Sequence, residues 1–231
     1  MAASQRRLKQ TILPLLLTGT TGQVLEELSQ YPPEKLLNPL FSGICQADGQ
    51  MKWNAVSAMG ATVARIANQD MEAARVVMRR FMWSLNDESG GIGWGVPEAI
   101  GECLANHAGL AEEYTHILVS FMREDGFYLE HLPLQQGLMW GVGRLAQVRP
   151  VLLGQKNAST YLLPYLDSPD PVVRALAARA LGFLKEKRAR EKIELLLPDT
   201  TAIPLFHQGV LEKIPAGALA RQALHHLQIQ A

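Results

Sequence analysis

The chain has 231 residues with 22 basic and 22 acidic side chains, so its formal net charge is zero. A neutral chain has no global field that would attract nucleic acid or an anionic lipid surface. Its length is sufficient to bury a substantial core. The two cysteines, Cys45 and Cys103, lie in separate apolar segments. Their number and placement indicate buried reduced thiols rather than a disulfide framework.

The first predicted elements are capping helices over residues 1–46. Leu8, Ile12 and Leu16 lie on one helical face. The apolar run around Ile12 is interrupted by Pro14 and lacks the small-residue cleavage pattern of a signal peptide. No apolar stretch approaches the roughly 20 residues of a membrane span. We therefore expect a soluble, cytoplasmic protein with no membrane segment.

A short motif then recurs four times, each time as a small residue, an apolar residue and glycine within an apolar segment. The glycines are Gly60, Gly101, Gly143 and Gly182, so successive copies are 41, 42 and 39 residues apart. One helical hairpin cannot bury its own apolar face, and a repeat of this period therefore predicts stacked helix pairs. Four pairs are expected within residues 48–197. Their helices are predicted at 48–67 and 70–85, 96–107 and 110–123, 133–147 and 157–166, and 170–184 and 188–197.

The tail, residues 199–231, differs from the repeats. Residues 201–206 and 210–214 alternate like two short strands around a turn at Gln208-Gly209. A helix over residues 216–227 follows. Such a hairpin and helix would cover the open end of a stack, so we expect a single domain over residues 1–231.

The fourth repeat carries a family resemblance in the segment that begins Asp170-Pro-Val-Val-Arg174 and ends at Gly182. It resembles a HEAT repeat and is similar to the bacterial pattern found in phycobilin-lyase relatives. The resemblance extends more weakly over residues 48–197. It implies an all-α fold, an α-solenoid of about four to five HEAT-like helix pairs, of a kind that commonly binds other proteins. HEAT proteins share no common reaction, so it implies no chemistry.

The second repeat departs most from the others. Asp170 in the fourth repeat is placed to cap its helix and to pair with Arg174. The second repeat instead has the glycine-rich segment 86–95, and Pro97 indicates a helix that begins late. Two interpretations stay open for this segment. It is either a long turn with a packed Trp94 or a loop that binds a ligand or partner.

Aromatic and acidic residues gather in the same region. Trp53 and Trp94 share one repeat position, and Trp140 falls one helical turn further along the same stripe. Glu98 and Glu102 are four residues apart on one helix, which requires solvation or a nearby cation such as Arg79 or Arg80. Core packing and internal ion pairing are the ordinary interpretation. A partly exposed strip would instead be a recognition surface.

Other chemistries have little support in the sequence. A di-iron hydroxylase among HEAT proteins uses His-Glu dipeptides, and none of the six histidines here is followed by Glu. We therefore expect no metal and no cofactor. The basic residues of 185–192 alternate with glutamates, which predicts a salt-bridged turn rather than a nucleic-acid patch. No nucleophile or nucleotide motif is present, and no catalytic residue is predicted.

We therefore interpret the chain as a non-catalytic protein-interaction or scaffold module. The expected partner is a basic or amphipathic peptide segment. Two alternatives stay open: a HEAT-like enzyme, such as a DNA alkyl-base glycosylase or a lyase-type protein, and a structural subunit that dimerises through its tail. The candidate partner-binding residues are Asp87, Glu88, Trp94, Glu98, Glu102 and Trp140.

Overall fold

Helices form most of the chain in the computed structural model, which describes residues 2–46, 49–86 and 93–228, without the side chains of residues 2–5. This described part contains thirteen α-helices and one two-stranded hairpin. No described helix is both long and apolar enough to cross a membrane. The elements are α1 Ala2–Thr18, α2 Thr21–Ser29, α3 Pro33–Ile44, α4 Gln50–Gln69, α5 Met71–Leu85, α6 Val96–Asn106, α7 Ala108–Ser120, α8 Leu132–Val148, α9 Pro150–Gln155, α10 Ala158–Leu162, α11 Pro171–Phe183, α12 Arg190–Glu194, β1 Ala202–His207, β2 Val210–Pro215 and α13 Ala216–Gln228.

The chain divides into two compact units. The first comprises residues 1–110 together with 206–211, and the second comprises residues 111–205 together with 212–231. The helices expected for the first two repeats are present, since α4, α5, α6 and α7 each begin within two residues of their predicted starts. The single domain expected over residues 1–231 stays a prediction.

In the first unit, buried polar groups tie the N-terminal helices to α4. The Asn54 side chain is fully buried, and its Nδ2 donates to the carbonyls of Leu16 at 2.9 Å and Gly19 at 2.8 Å. The Thr21 hydroxyl donates to Asn54 Oδ1 at 2.7 Å. A buried amide with every polar atom bonded avoids a desolvation penalty, so Asn54 fixes the α1–α2 turn against α4.

The repeated glycines lie where helices approach closely. A Cβ atom on Gly60 would lie 2.6 Å from Glu102 Cγ, because α4 packs against α6 there. A Cβ atom on Gly182 would lie 2.6 Å from Ala223 Cα, where α11 packs against α13. Real Cβ atoms essentially never lie this close to another atom. At Gly60 and Gly182 the motif therefore marks close helix–helix contacts.

In the second unit, α8, α11 and α13 pack together in that order. Asp170 caps α11, with its Oδ1 accepting from the Val173 N–H at 2.8 Å, which confirms the predicted cap. The predicted pairing of Asp170 with Arg174 is wrong. The Arg174 guanidinium donates to the Ser168 carbonyl at 2.7 Å and lies 3.5 Å from Asp199, because the chain before the helix folds back within its reach.

The second helices of the third and fourth repeats are broken. The predicted helix over residues 157–166 is the short α10 followed by a 3-10 turn, Leu163–Asp167, that contains Pro164. Asn157 has a left-handed conformation with φ 54°, which separates α9 from α10. The predicted helix over 188–197 is likewise reduced to a 3-10 turn, Lys187–Ala189, and α12.

The C-terminal hairpin and helix are confirmed. Gln208 and Gly209 both have positive φ, 49° and 81°, as a two-residue hairpin turn of the I′ type requires. Residues 206–211 at the tip belong to the first unit. There Phe206 stacks on Trp53, with ring centroids 5.1 Å apart and planes 5° from parallel. The Gly209 carbonyl lies 3.0 Å from the Thr21 hydroxyl.

Candidate functional site

The start of α6 positions the two glutamates that the sequence singled out. Gly95 precedes the helix with φ 75°, and a Cβ atom there would lie 2.1 Å from the Ile44 carbonyl oxygen. Only glycine therefore fits this turn. The late helix start expected beside Pro97 is confirmed, since α6 begins at Val96.

Glu98 is buried in the first unit and has an internal partner. Its residue surface is 2% exposed, and its Oε1 lies 2.7 Å from Lys52 Nζ. The Lys52 ammonium also lies 5.2 Å from the ring centroid of Trp53. Glu98 Oε2 is buried and has no hydrogen-bond partner among the described residues. Lys52 therefore compensates a carboxylate that would otherwise be costly to bury.

Glu102 lies one helical turn further on and is also buried. Its Oε1 accepts from Asn106 Nδ2 at 2.9 Å, and its Cγ lies over Gly60. The neighbouring Cys103 is fully buried, so desolvation first and the Glu102 charge second raise the pKa of its thiol. Both cysteines are free thiols, as predicted, but the predicted burial is right only for Cys103, since Cys45 is exposed.

The structure changes the predicted binding surface in specific ways. Asp87 and Glu88 lie outside the described residues, and Trp94 is half-buried. Trp140 is 4% exposed and belongs to the second unit, whereas Trp94 belongs to the first. An exposed strip is therefore wrong for Glu98, Glu102 and Trp140, because these helix faces point into the core. Their role in partner binding stays a prediction.

The cation partner of Glu98 is also different from those considered in the sequence. Arg79 pairs with Glu72 at 2.7 Å, and the Arg80 guanidinium lies 3.7 Å from the ring centroid of Phe41. Lys52 takes the role because the first turns of α4 and α6 lie side by side. Lys52 lies in the first repeat and Glu98 in the second, so only the packing of α4 against α6 brings their side chains together.

An open groove lies in the second unit. Its volume is about 590 Å³. One wall is the segment 122–128 between α7 and α8, and the other is formed by α10 and the chain to residue 169. Gln135 on the first turn of α8 completes the lining. The broken second helix of the third repeat thus forms one side of an open space.

Three tyrosines give the groove its aromatic character. Tyr165 is buried, and its hydroxyl donates to the Met122 carbonyl at 3.3 Å. Burial, with smaller effects of Tyr128 and Glu124, raises the pKa of Tyr165, so its phenol stays protonated. Tyr128 is 36% exposed, and its hydroxyl accepts from Gln135 Nε2 at 3.0 Å. Tyr161 is half-buried. The groove therefore offers ring faces and fixed hydroxyls together.

The charges of the groove are mainly acidic. Its lining includes the carboxylates of Glu124, Asp125 and Asp167 and one guanidinium, that of Arg123. Arg123 donates to Asp125 from Nε at 2.9 Å and from Nη2 at 2.8 Å. These hydrogen bonds lower the pKa of the Asp125 carboxyl. Asp167 pairs with Lys192, which lies outside the lining.

This groove was not predicted from the sequence, because tryptophan and glutamate, and not tyrosine, were considered as the recognition residues. The chain has five tyrosines, and three of them lie at 128, 161 and 165. Tyr161 and Tyr165 are also four residues apart. That clustering, beside the helix-breaking Pro164, was the available signal.

Two further expectations concern metals and the basic segment. Within the ranges that the structure describes, no three His, Cys, Asp or Glu side chains lie together as a metal site would need. In the basic segment, Arg188 pairs with Glu186 at 2.8 Å and Arg190 with Glu194 at 3.6 Å. The predicted salt-bridged turn is confirmed.

Comparisons with known proteins agree with this fold. Residues 133–184 match the family model of the HEAT-like repeat. A designed armadillo repeat protein in complex with the peptide (KR)4 is similar in structure, with a TM-score of 0.56, 16% identity, and coverage of 98% of this chain and 92% of that one. Another designed armadillo repeat protein has a TM-score of 0.54 at 17% identity, covering 97% and 94% of the two chains. No curated protein matches the sequence significantly.

A third similar structure is that of computationally designed armadillo repeat proteins for modular peptide recognition. Its TM-score is 0.50 at 15% identity, with coverage of 94% and 99% of the two chains. At such identities the likeness concerns the fold alone. The resemblance to phycobilin-lyase relatives stays a prediction. The chain therefore has the all-α repeat fold of armadillo- and HEAT-type proteins, and its residues 133–184 form a HEAT-like repeat.

Proposed function

We propose that the chain is a non-catalytic protein-interaction module that binds a basic peptide segment of its partner in the tyrosine groove of the second unit. The observation that carries the proposal is the groove itself, an open space of about 590 Å³ whose lining includes three tyrosines and whose charged side chains are mainly acidic. The similarity to designed armadillo proteins that recognise peptides supports a peptide as the occupant.

The chemistry of the lining supports a basic occupant. Tyrosine offers a large contact area for few rotatable bonds, and its ring face attracts cations. Glu124 and Asp125 are exposed at the rim, where they can attract a cationic segment before contact. Tyr165 and Gln135 are held by internal hydrogen bonds, so part of the surface is ordered before binding.

The sequence-based surface around Glu98 is the competing location. Trp94 is its half-exposed described member, while Glu98 and Glu102 are buried and already bonded. A partner would have to open that cluster to reach the carboxylates, at a considerable free-energy cost. The groove requires no such opening, so we place the contact there.

The test is the affinity of fluorescein-labelled (KR)4, the peptide named for the designed relative, in a polarisation titration. Replacing both Tyr128 and Tyr161 with alanine is expected to weaken binding by about tenfold or more, as loss of aromatic contacts at a binding centre does. Raising the salt concentration should also weaken binding, because the rim charges are exposed.

Tyr31→Ala is the matched control, since Tyr31 is a half-buried tyrosine of the first unit. Its affinity should equal that of the parent protein, and melting temperatures should show that the groove variant is folded. Equal binding by the parent, the control and the groove variant would reject the groove as the site.

A further inference from the structure

One ring face in the groove is already covered by a cation of the chain itself. The Arg123 guanidinium carbon lies 5.0 Å from the ring centroid of Tyr161. The same guanidinium donates to both oxygens of Asp125, at 2.9 and 2.8 Å. Arg123 and Asp125 are two residues apart on one loop, and Tyr161 lies on α10 across the groove. A planar cation, a carboxylate that accepts two hydrogen bonds from it and an aromatic ring face therefore lie next to one another.

This arrangement is suited to arginine in particular. A guanidinium can stack on a ring and bond a carboxylate with two parallel N–H groups at once. A lysine ammonium is a compact charge that has no planar face and cannot make the paired hydrogen bonds. The groove therefore contains a subsite whose geometry distinguishes the two basic side chains.

Building on the proposed function, we propose that this subsite binds an arginine side chain of the partner peptide, which displaces Arg123 from Tyr161 and Asp125. Arg123 thus occupies the subsite in the free protein. The partner class is narrowed from basic peptides to peptides that contain arginine.

The contacts of Arg123 are of a kind that a ligand can replace. The Arg123 side chain is 34% exposed and that of Asp125 is 73% exposed. Exposed ion pairs of this type contribute little to stability, since water and salt screen them. The loop does not depend on the guanidinium for its shape, because backbone hydrogen bonds from Gly126 to Arg123 and from Phe127 to Ser120 close it.

The chain offers a closely matched control in Arg188. This side chain forms the same fork with the acid two residues before it, donating to Glu186 from Nε at 2.9 Å and from Nη2 at 2.8 Å. Arg188 does not line the groove. Its replacement changes the net charge and removes a fork between an exposed arginine and a largely buried glutamate, without vacating Tyr161.

The experiment compares the peptides (KR)4 and octalysine, which have the same charge, against Arg123→Gln, Arg123→Lys and Arg188→Gln. Vacating the subsite should raise the affinity for (KR)4 by about three- to tenfold in Arg123→Gln, the range of a lost exposed ion pair and cation–π contact. Arg123→Lys preserves the net charge and should also bind (KR)4 more tightly. Arg188→Gln should match the parent protein.

The two peptides separate stacking from simple charge. The gain in affinity for octalysine should be clearly smaller than that for (KR)4, since lysine cannot make the paired hydrogen bonds to Asp125 or stack a planar group on Tyr161. Equal gains for both peptides, or no gain in Arg123→Lys, would overturn the arginine subsite. That result would not contradict the proposed function. The proposed function would instead be rejected if replacing Tyr128 and Tyr161 with alanine left the affinity for (KR)4 unchanged.

Discussion

The buried cluster of the first unit and the open groove of the second contain the same kinds of side chain but differ in their exposure. In the cluster, Lys52 pairs with Glu98 Oε1, and both Glu98 and Glu102 are buried. In the groove, acidic and aromatic groups lie along an exposed surface. Acids and aromatics that are close in sequence therefore do not by themselves identify a binding surface.

The difference has a structural cause in the two repeats. In the second repeat α6 is one continuous helix that packs on α4, and Glu98 lies within reach of Lys52. The third repeat has its second helix divided into α9, α10 and a 3-10 turn, which leaves Tyr161 and Tyr165 beside open space. The continuous α6 has its glutamates buried, whereas the broken helix of the third repeat borders an open groove.

The largest expected effect comes from breaking the buried pair. Lys52→Met preserves most of the side-chain volume but leaves Glu98 without a cation, which should lower the free energy of unfolding by about 3–5 kcal/mol. Urea denaturation measures this change. Lys192→Met, which breaks the exposed pair with Asp167 in the second unit, should cost no more than about 1 kcal/mol.

A second substitution isolates the charge from the packing. Lys52→Met combined with Glu98→Met should recover much of the lost stability, since an apolar pair can replace a buried ion pair. If Lys52→Met lowers the free energy of unfolding as little as Lys192→Met does, the charges of the first-unit cluster are accessible to water. The contrast between the two regions would then be wrong.

A smaller effect is expected at equivalent glycines of the two units. Gly60→Ala would place a Cβ atom 2.6 Å from Glu102 Cγ, and overpacking of this kind costs about 1–3 kcal/mol. At Gly143 a new Cβ atom would meet Arg179 Nη1 at 3.5 Å, an ordinary contact. Gly143→Ala should therefore be neutral or stabilising, because alanine favours helix by up to about 1 kcal/mol. Thermal unfolding of both variants, measured side by side, checks the order.

If Gly60→Ala is as stable as Gly143→Ala, Glu102 adjusts freely to the added methyl group. The first-unit cluster would then be no more tightly packed than the corresponding contact in the second unit. The order of the two melting temperatures is therefore the informative quantity, rather than either value alone.

The sequence predicted those features that depend on local chemistry. Asp170 followed by Pro171 marked the start of α11, and Gln208-Gly209 marked the hairpin turn. The glycine period located the first helix of each repeat, and at Gly60 and Gly182 the glycine allows close contact with a neighbouring helix. In these cases the residue type and its immediate neighbours determine the conformation.

The site depended on information that the sequence does not carry locally. Lys52 and Glu98 lie in different repeats, and only the packing of α4 on α6 brings their charged atoms within 2.7 Å. The groove likewise arises from how the broken segment after α8 leaves space beside residues 122–128. Pro164 and the tyrosines were visible, but their arrangement around a groove was not.

Hydrogen–deuterium exchange with and without saturating (KR)4 tests most directly where the partner binds. We predict slower exchange in residues 121–136 and 158–169, which include the groove lining, with little change around Lys52 and Glu98. Slower exchange confined to residues 50–60 and 93–106, with none in the groove, would contradict binding in the groove and place the contact at the first-unit cluster.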